Sequence, residues 1–194
     1  MTCPVRSLTR PELQRRRFRK SVTHIKLAIY ALLAVNAVIY ATAGRLSEGL
    51  DALAWFALLV LFAIETRYPQ WTRAPRHAVL LGLLRLIAAA AIAIAALAYL
   101  QEREWLDATN AWLWIAVVAV LELGVRAPAF AARHARWILH LSLALYGALA
   151  AIAVTWFAQG EWFDSYDAVL WIAAFALIEL DLLGATALDA QVDS

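Results

Sequence analysis

The stretch WLDATNAWLWIAVVAVLEL, Trp105 to Leu123, and the stretch WFDSYDAVLWIAAFALIEL, Trp162 to Leu180, carry the same residues at the same offsets. Asp107, Trp114 and Glu122 match Asp164, Trp171 and Glu179. A third stretch, LDALAWFALLVLFAIET from Leu50, holds Asp51 and Glu65 fourteen residues apart instead of fifteen, so it aligns once a single position is deleted. Each stretch follows a long apolar segment that opens on a basic or histidine-containing tetrad: THIK at Thr23, RHAV at Arg76 and RHAR at Arg133. The repeating unit is therefore a helical hairpin of about 55 residues present three times, one module stacked on itself.

Composition says what solvent this module lives in. Of 194 residues, 64% are hydrophobic and 16% charged, and the mean hydropathy is +0.67. A soluble domain has about 45–50% apolar and about 25% charged residues. A membrane-crossing helix needs about twenty mostly apolar residues. Ile25 to Ala43, Ala78 to Leu100 and Trp137 to Ala158 qualify directly, and the repeat brings in Leu50 to Thr66, Trp105 to Gly124 and Trp162 to Leu183. The fold class expected is all-α: a polytopic membrane protein of six transmembrane helices arranged as three repeated helical hairpins. Its parts are a basic cytoplasmic arm (1–22), hairpins over 23–67, 76–126 and 133–184, and a short cytoplasmic tail (185–194).

Loop charge orients it. The N-terminal arm, ETRYPQWTRAPRH and VRAPAFAARHAR hold nearly all the basic residues, whereas RLSEGLD, QEREWLD and AQGEWFDSYD are acid-rich. Positive loops stay in the cytoplasm, so both termini are expected inside, at a bacterial-type inner (plasma) membrane. Arg15, Arg16, Arg17, Arg19 and Lys20 form a lipid- or partner-binding arm, each worth about 1 kcal/mol beside anionic head groups. QRRRFRK from Gln14 imitates a twin-arginine export signal and ATAG at Ala41 a cleavage site, yet cleavage would leave the first repeat without its first helix. An uncleaved span is expected. Tyr68, Trp71, Tyr99, Trp105, Trp137, Trp156 and Trp162 are placed as interfacial aromatics, with Trp112, Trp114 and Trp171 deeper as packing residues.

The carboxylates are the chemically informative residues. Asp107 and Glu122 are separated by about 22 Å along a helix, less than the apolar thickness of about 30 Å, so one acid of each pair meets the apolar zone. An acid there must face protein, be protonated or find a cation. The expectation is that the even helices pack inward, bringing Glu65, Glu122 and Glu179 together with Arg85 in a buried charge network. Arg85 would pair with Glu65 or Glu122, and Glu122 could also meet Arg126 four residues on. Asp51, Asp107, Asp164, Trp114 and Trp171 are the signature of the repeat.

His24, His77 and His134 each open an odd helix as interfacial caps. Cys3 lacks a lipobox, and no cluster has metal-ligand spacing. No phosphate loop, catalytic triad or helical H-E-x-x-H is present. No metal, cofactor, enzymatic activity or nucleic-acid partner is expected.

The first hairpin resembles the first two helices of a voltage-sensor domain of the voltage-gated cation channel superfamily. Asn36 in AVNAVIYA, LDALAWF from Leu50, Phe62 three before Glu65, and Arg67 carry the likeness over about 45 residues. It implies a second helix whose aromatic and acid pass arginines across the membrane. The later repeats keep the acid but carry Ala119 and Ala176 in place of the aromatic, and no span has arginine at every third position. Two functional classes follow: a non-catalytic accessory or scaffold subunit of a larger membrane complex, or a small proton or cation transporter using the repeated glutamates. Spans uninterrupted by proline favour the first.

Overall fold

The computed structural model describes residues 10–72 and 74–192, with the side chains of 24–72, 74–124 and 126–178. Every regular element among them is a helix: α1 (Arg10–Ala43), α2 (Leu46–Arg67), α3 (Pro69–Thr72), α4 (Pro75–Glu102), α5 (Trp105–Arg126), α6 (Pro128–Arg133), α7 (Ala135–Gln159) and α8 (Trp162–Val192). Five helical segments among the described residues are long and apolar enough to cross a membrane: His24–Ala43, Leu46–Arg67, Pro75–Glu102, Trp105–Gly124 and Ala135–Gln159.

Proline sets the breaks. Pro69, Pro75 and Pro128 each stand first in a helix, where the missing N–H has no intrahelical partner to lose. They create two short connector helices, α3 and α6, that the sequence reading took as plain loops. Conversely, no proline or glycine lies between Pro11 and Gly44, so α1 starts at Arg10 and the arm from Arg15 to Lys20 continues it instead of forming a separate segment. The segment 185–194, expected as a tail, carries α8 onward to Val192.

The chain forms two compact units, Leu33–Ile172 and a smaller one of Met1–Leu32 with Ala173–Ser194. In the smaller unit Ile29 and Ala174 are buried. In the larger unit α4 meets α5 through Ala95, Ala96 and Tyr99 against Ala108 and Ala111. Ile152, Ala153 and Trp156 of α7 pack with Ala168 of α8 in the same way. Alanine at these contacts lets helix backbones approach closely, the usual device where lipid removes the hydrophobic drive between helices. Gly49 does this at the first turn, since a Cβ there would lie 3.0 Å from the Ala41 Cα.

The turns that follow α4 and α7 are built alike. Arg103 (φ 61°) and Gly160 (φ 89°) adopt the left-handed conformation that ends α4 and α7. Arg103 N–H then donates to the Leu100 carbonyl and Glu104 N–H to that of Tyr99, while Gly160 and Glu161 donate to Phe157 and Trp156. Threonine hydroxyls return to their own helix: Thr42, Thr66, Thr109 and Thr155 donate to carbonyls four residues back, which satisfies them where no water is at hand. Leu80, Leu83, Leu86, Ile87, Ile94 and Leu97 stand exposed on α4, an apolar surface suited to lipid.

Candidate functional site

Asp51 stands in the second turn of α2 behind the first-turn acid Glu48. Asp107 and Asp164 stand in the first turns of α5 and α8, where free N–H groups and the helix dipole favour negative charge. One turn onward stand Asn110 and Asp167, and a further turn on Trp114 and Trp171. Residues three and seven apart share a helix face, so each of α5 and α8 presents an acid, a second polar group and an indole on one stripe. In α2 the stripe is Asp51 and Trp55.

These stripes meet. The Trp55 ring centroid lies 6.3 Å from that of Trp114 and 6.3 Å from that of Trp171. Together with Asp51, Asp107, Asn110, Asp167, Tyr40, Tyr99 and Trp156 they line a cavity of about 60 Å³. From α1, Asn36 Nδ2 donates to Asp167 Oδ1 at 2.7 Å, and Tyr40 OH donates to Asp164 Oδ1 at 2.6 Å. Trp55, one turn beyond Asp51, lies beside its carboxylate. The Asp51 Oδ1 is fully buried and takes no hydrogen bond among the described residues, and the same holds for Asn110 Oδ1.

Arg45, in the first hairpin turn, closes the acid-rich end. Its backbone N–H and Nε donate to Glu48 at 2.9 and 2.7 Å, and Nη2 donates to Asp107 Oδ2 at 3.0 Å. Nη1 pairs with Glu104 and reaches Glu102 at 3.9 Å. Ser47 Oγ donates to Glu102 at 2.7 Å. Partial burial alone would lower the Arg45 guanidinium, but the hydrogen bonds and charges of Glu48 and Glu104 outweigh it and hold it above its ordinary value. The turn before α2 is thereby clamped to the end of α4 and the start of α5.

No family model, curated protein or solved structure matches this chain. Its chemistry is therefore read from its own residues.

At the basic end, Arg85 pairs with Glu65, while Glu122 pairs with Arg126 along its own helix. The side chain of Glu179 lies outside the described residues, as do those of Arg15, Arg16, Arg17, Arg19 and Lys20. Among the described residues the expected single buried network is replaced by two pairs, and neither is sealed from its surroundings. Arg85 is 49% exposed and Arg126 80%, because long basic side chains lay their stems on apolar surface and keep the head outside it. His77 and His134 each donate from Nδ1–H to the carbonyl of an aromatic in the preceding connector, Trp71 and Phe130, and stack on that ring.

One aromatic differs from expectation. Trp112, placed in the packing, is 46% exposed, while Tyr99 and Trp156, near the ends of α4 and α7, are buried against neighbouring helices. Residue 112 is two positions from Trp114, hence about 200° around the helix. The reading from sequence marked Asp51, Asp107 and Asp164 only as a repeat signature. It passed over Asn110, Asp167, Trp55 and Arg45. The signal was present in the i, i+3, i+7 spacing of polar and aromatic residues.

Proposed function

We propose that this protein is a non-catalytic, multi-pass inner-membrane protein of six spans in three hairpin repeats, both ends cytoplasmic, serving as an accessory or scaffold subunit of a larger membrane complex. Burial supports the triplication. Leu33, Ile92 and Leu149 are buried, as are Asn36, Ala95 and Ile152, and Ala37, Ala96 and Ala153. These positions recur at the same spacing in α1, α4 and α7. In the even helices Trp55, Ala111 and Ala168 are likewise buried, four residues after each aspartate. Glu48, Glu104 and Glu161 each stand three residues before that aspartate.

The observation that carries the scaffold reading is the use of polar side chains to join one helix to another. Asn36 and Tyr40 hold α1 to α8, Arg45 and Ser47 hold the first hairpin to the second, and Arg85 holds α4 to α2. Interhelical bonds of this kind fix packing and register. The basic residues from Arg15 to Lys20 remain for anionic head groups and a membrane-protein partner. The voltage-sensor likeness of the first hairpin enters this reading as a mode of hairpin packing alone.

The test is purification from native membranes in mild detergent. One partner at fixed stoichiometry, lost when Arg15, Arg16, Arg17, Arg19 and Lys20 are reversed in charge, is the expected result. The transport alternative predicts proton or cation flux in liposomes that disappears in a Glu65→Gln, Glu122→Gln or Glu179→Gln variant. Flux of that kind from protein purified without a partner would overturn the scaffold reading.

A further inference from the structure

The polar side chains that join helices do not account for the cavity at the acid-rich end. Asp164 and Asp167 accept from Tyr40 and Asn36, and Asp107 accepts from Arg45. Asp51 Oδ1 and Asn110 Oδ1 are both fully buried acceptors that lack a donor at normal hydrogen-bond geometry among the described residues, the Asp51 carboxylate having the Trp55 indole N–H as its one neighbouring donor, and both residues line the same space. Burying an acceptor without a donor is costly, and two such oxygens on different helices, α2 and α5, call for a guest that brings hydrogens to both.

The walls restrict the guest further. The indoles of Trp55, Trp114 and Trp171 surround it from three helices, and aromatic faces attract cations, most strongly where water is excluded. Carboxylates ring the same space, with Arg45 turned toward Glu48, Glu102, Glu104 and Asp107 at its edge. A positive guest is indicated. Among the described residues no three acidic, histidine or cysteine side chains converge closely enough to hold a metal ion, so the charge is spread around the guest instead of focused at one point. Size completes the argument. A cavity of about 150 Å³ holds a benzene ring, so one of about 60 Å³ takes two or three heavy atoms.

We infer that this cavity is a binding site for a small primary ammonium ion, of the size of ammonium or methylammonium, whose N–H groups donate to Asp51 and Asn110 while its charge lies among the three indoles. This inference goes beyond the scaffold reading and stands or falls separately from it, because it uses none of the residues of the basic arm and needs no partner protein.

The experiment uses the full chain in detergent micelles, titrated with methylammonium chloride at constant ionic strength, with melting temperature and indole fluorescence as readouts. Sodium, potassium and tetramethylammonium chlorides serve as comparators, the last having no N–H group and exceeding the cavity. A saturable rise in melting temperature with methylammonium alone is expected, at least ten-fold weaker in midpoint in both Asp51→Asn and Asn110→Leu and unchanged in Glu122→Gln. Should Asp51→Asn fail to fold, Asn110→Leu carries the comparison. A flat titration, which would mean that water alone fills the cavity, overturns the assignment. So does an equal response to potassium, or a midpoint that neither site variant shifts.

Discussion

Replacing Asn36 by isoleucine tests the repeat and the α1 to α8 contact together. Asn36 is 3% exposed, and its amide donates to Asp167 Oδ1 at 2.7 Å. At the matching places of α4 and α7 stand Ala95 and Ile152, both buried, so the backbone there accepts an apolar side chain. What the substitution removes is the bond. Hydrogen bonds to charged groups contribute about 1.5–3 kcal/mol in soluble proteins, whereas interhelical bonds in membranes average about 0.6 and reach about 1.7 kcal/mol because the unfolded helices find other partners. The side chain is buried and its acceptor ionisable, so Asn36→Ile should cost about 1–2 kcal/mol. The second arm is Asp167→Ala, which installs the residue that α2 carries at the same distance from its aspartate, Ala54. The double variant should recover most of that loss, because the amide and its acceptor are removed together and only the Trp171 indole loses its bond to Asp167, giving a coupling energy of about 1 kcal/mol or more. Unfolding in mixed micelles by a denaturing detergent, followed by helix signal and without added amine, measures all four proteins. A wild-type midpoint for Asn36→Ile, or a double variant whose loss equals the sum of the singles, would refute both the contact and the repeat equivalence.

Reporter fusions at Gly44, Arg103 and Gly160 should score outside and those at Ala74 and Ala131 inside; a cytoplasmic score at Gly160 would remove the third hairpin from the membrane. Arg85→Leu should cost up to about 3 kcal/mol, the insertion cost of a charge left alone within a span, because it removes the cation that pairs with Glu65; Glu65→Gln added to it should recover the loss in detergent melts, and Glu122→Gln should not. Arg103→Gly should raise stability by about 0.5–1 kcal/mol, since a side chain in the left-handed region costs about 1–2 kcal/mol and glycine already fills that place as Gly160; Gly160→Ala should lower stability by a similar amount in the same assay.

The helices were legible because their determinants are local. Alanine- and leucine-rich runs without proline propagate, and Pro69, Pro75 and Pro128 start new helices wherever they occur. The extent of α1 was not, since charge was taken to end the helix when only backbone chemistry does so. Arg15 to Lys20 change the solvent around a helix without breaking it. The pairing of Arg85 was readable to within two candidates, as depth along a helix follows from residue count. Its exposure was not, because which side of α4 meets a neighbour depends on packing that α4, apolar on nearly every face, does not encode in a period. The cavity was hidden for another reason. Its acids lie in the first two turns of their helices, where the helix dipole makes acids common, so each alone looks ordinary, and only the meeting of three helices distinguishes them.

The repeat itself indicates where function concentrates. A module used three times would give three equal walls around a common centre, and the places where one copy departs from the others have been changed for a reason outside folding. The first hairpin departs at Asn36, where its counterparts are Ala95 and Ile152, and at Trp55, where they are Ala111 and Ala168. The second and third depart from the first by placing Asn110 and Asp167 where α2 has Ala54. Asn36 bonds Asp167, and the other three polar or aromatic departures line one cavity. A bulky indole at an alanine position also holds the surrounding helices apart, since Trp55 touches both Trp114 and Trp171. The glutamates Glu65, Glu122 and Glu179, by contrast, are kept in all three copies, as a residue needed by the module itself would be. Keeping a group in every copy serves the proposed module, whereas an indole in the first copy alone and polar residues in the other two make an off-centre, polar interior that packing alone has no use for. On this argument the aspartate end of the bundle, and not the glutamate end, is where an ion or small cation belongs.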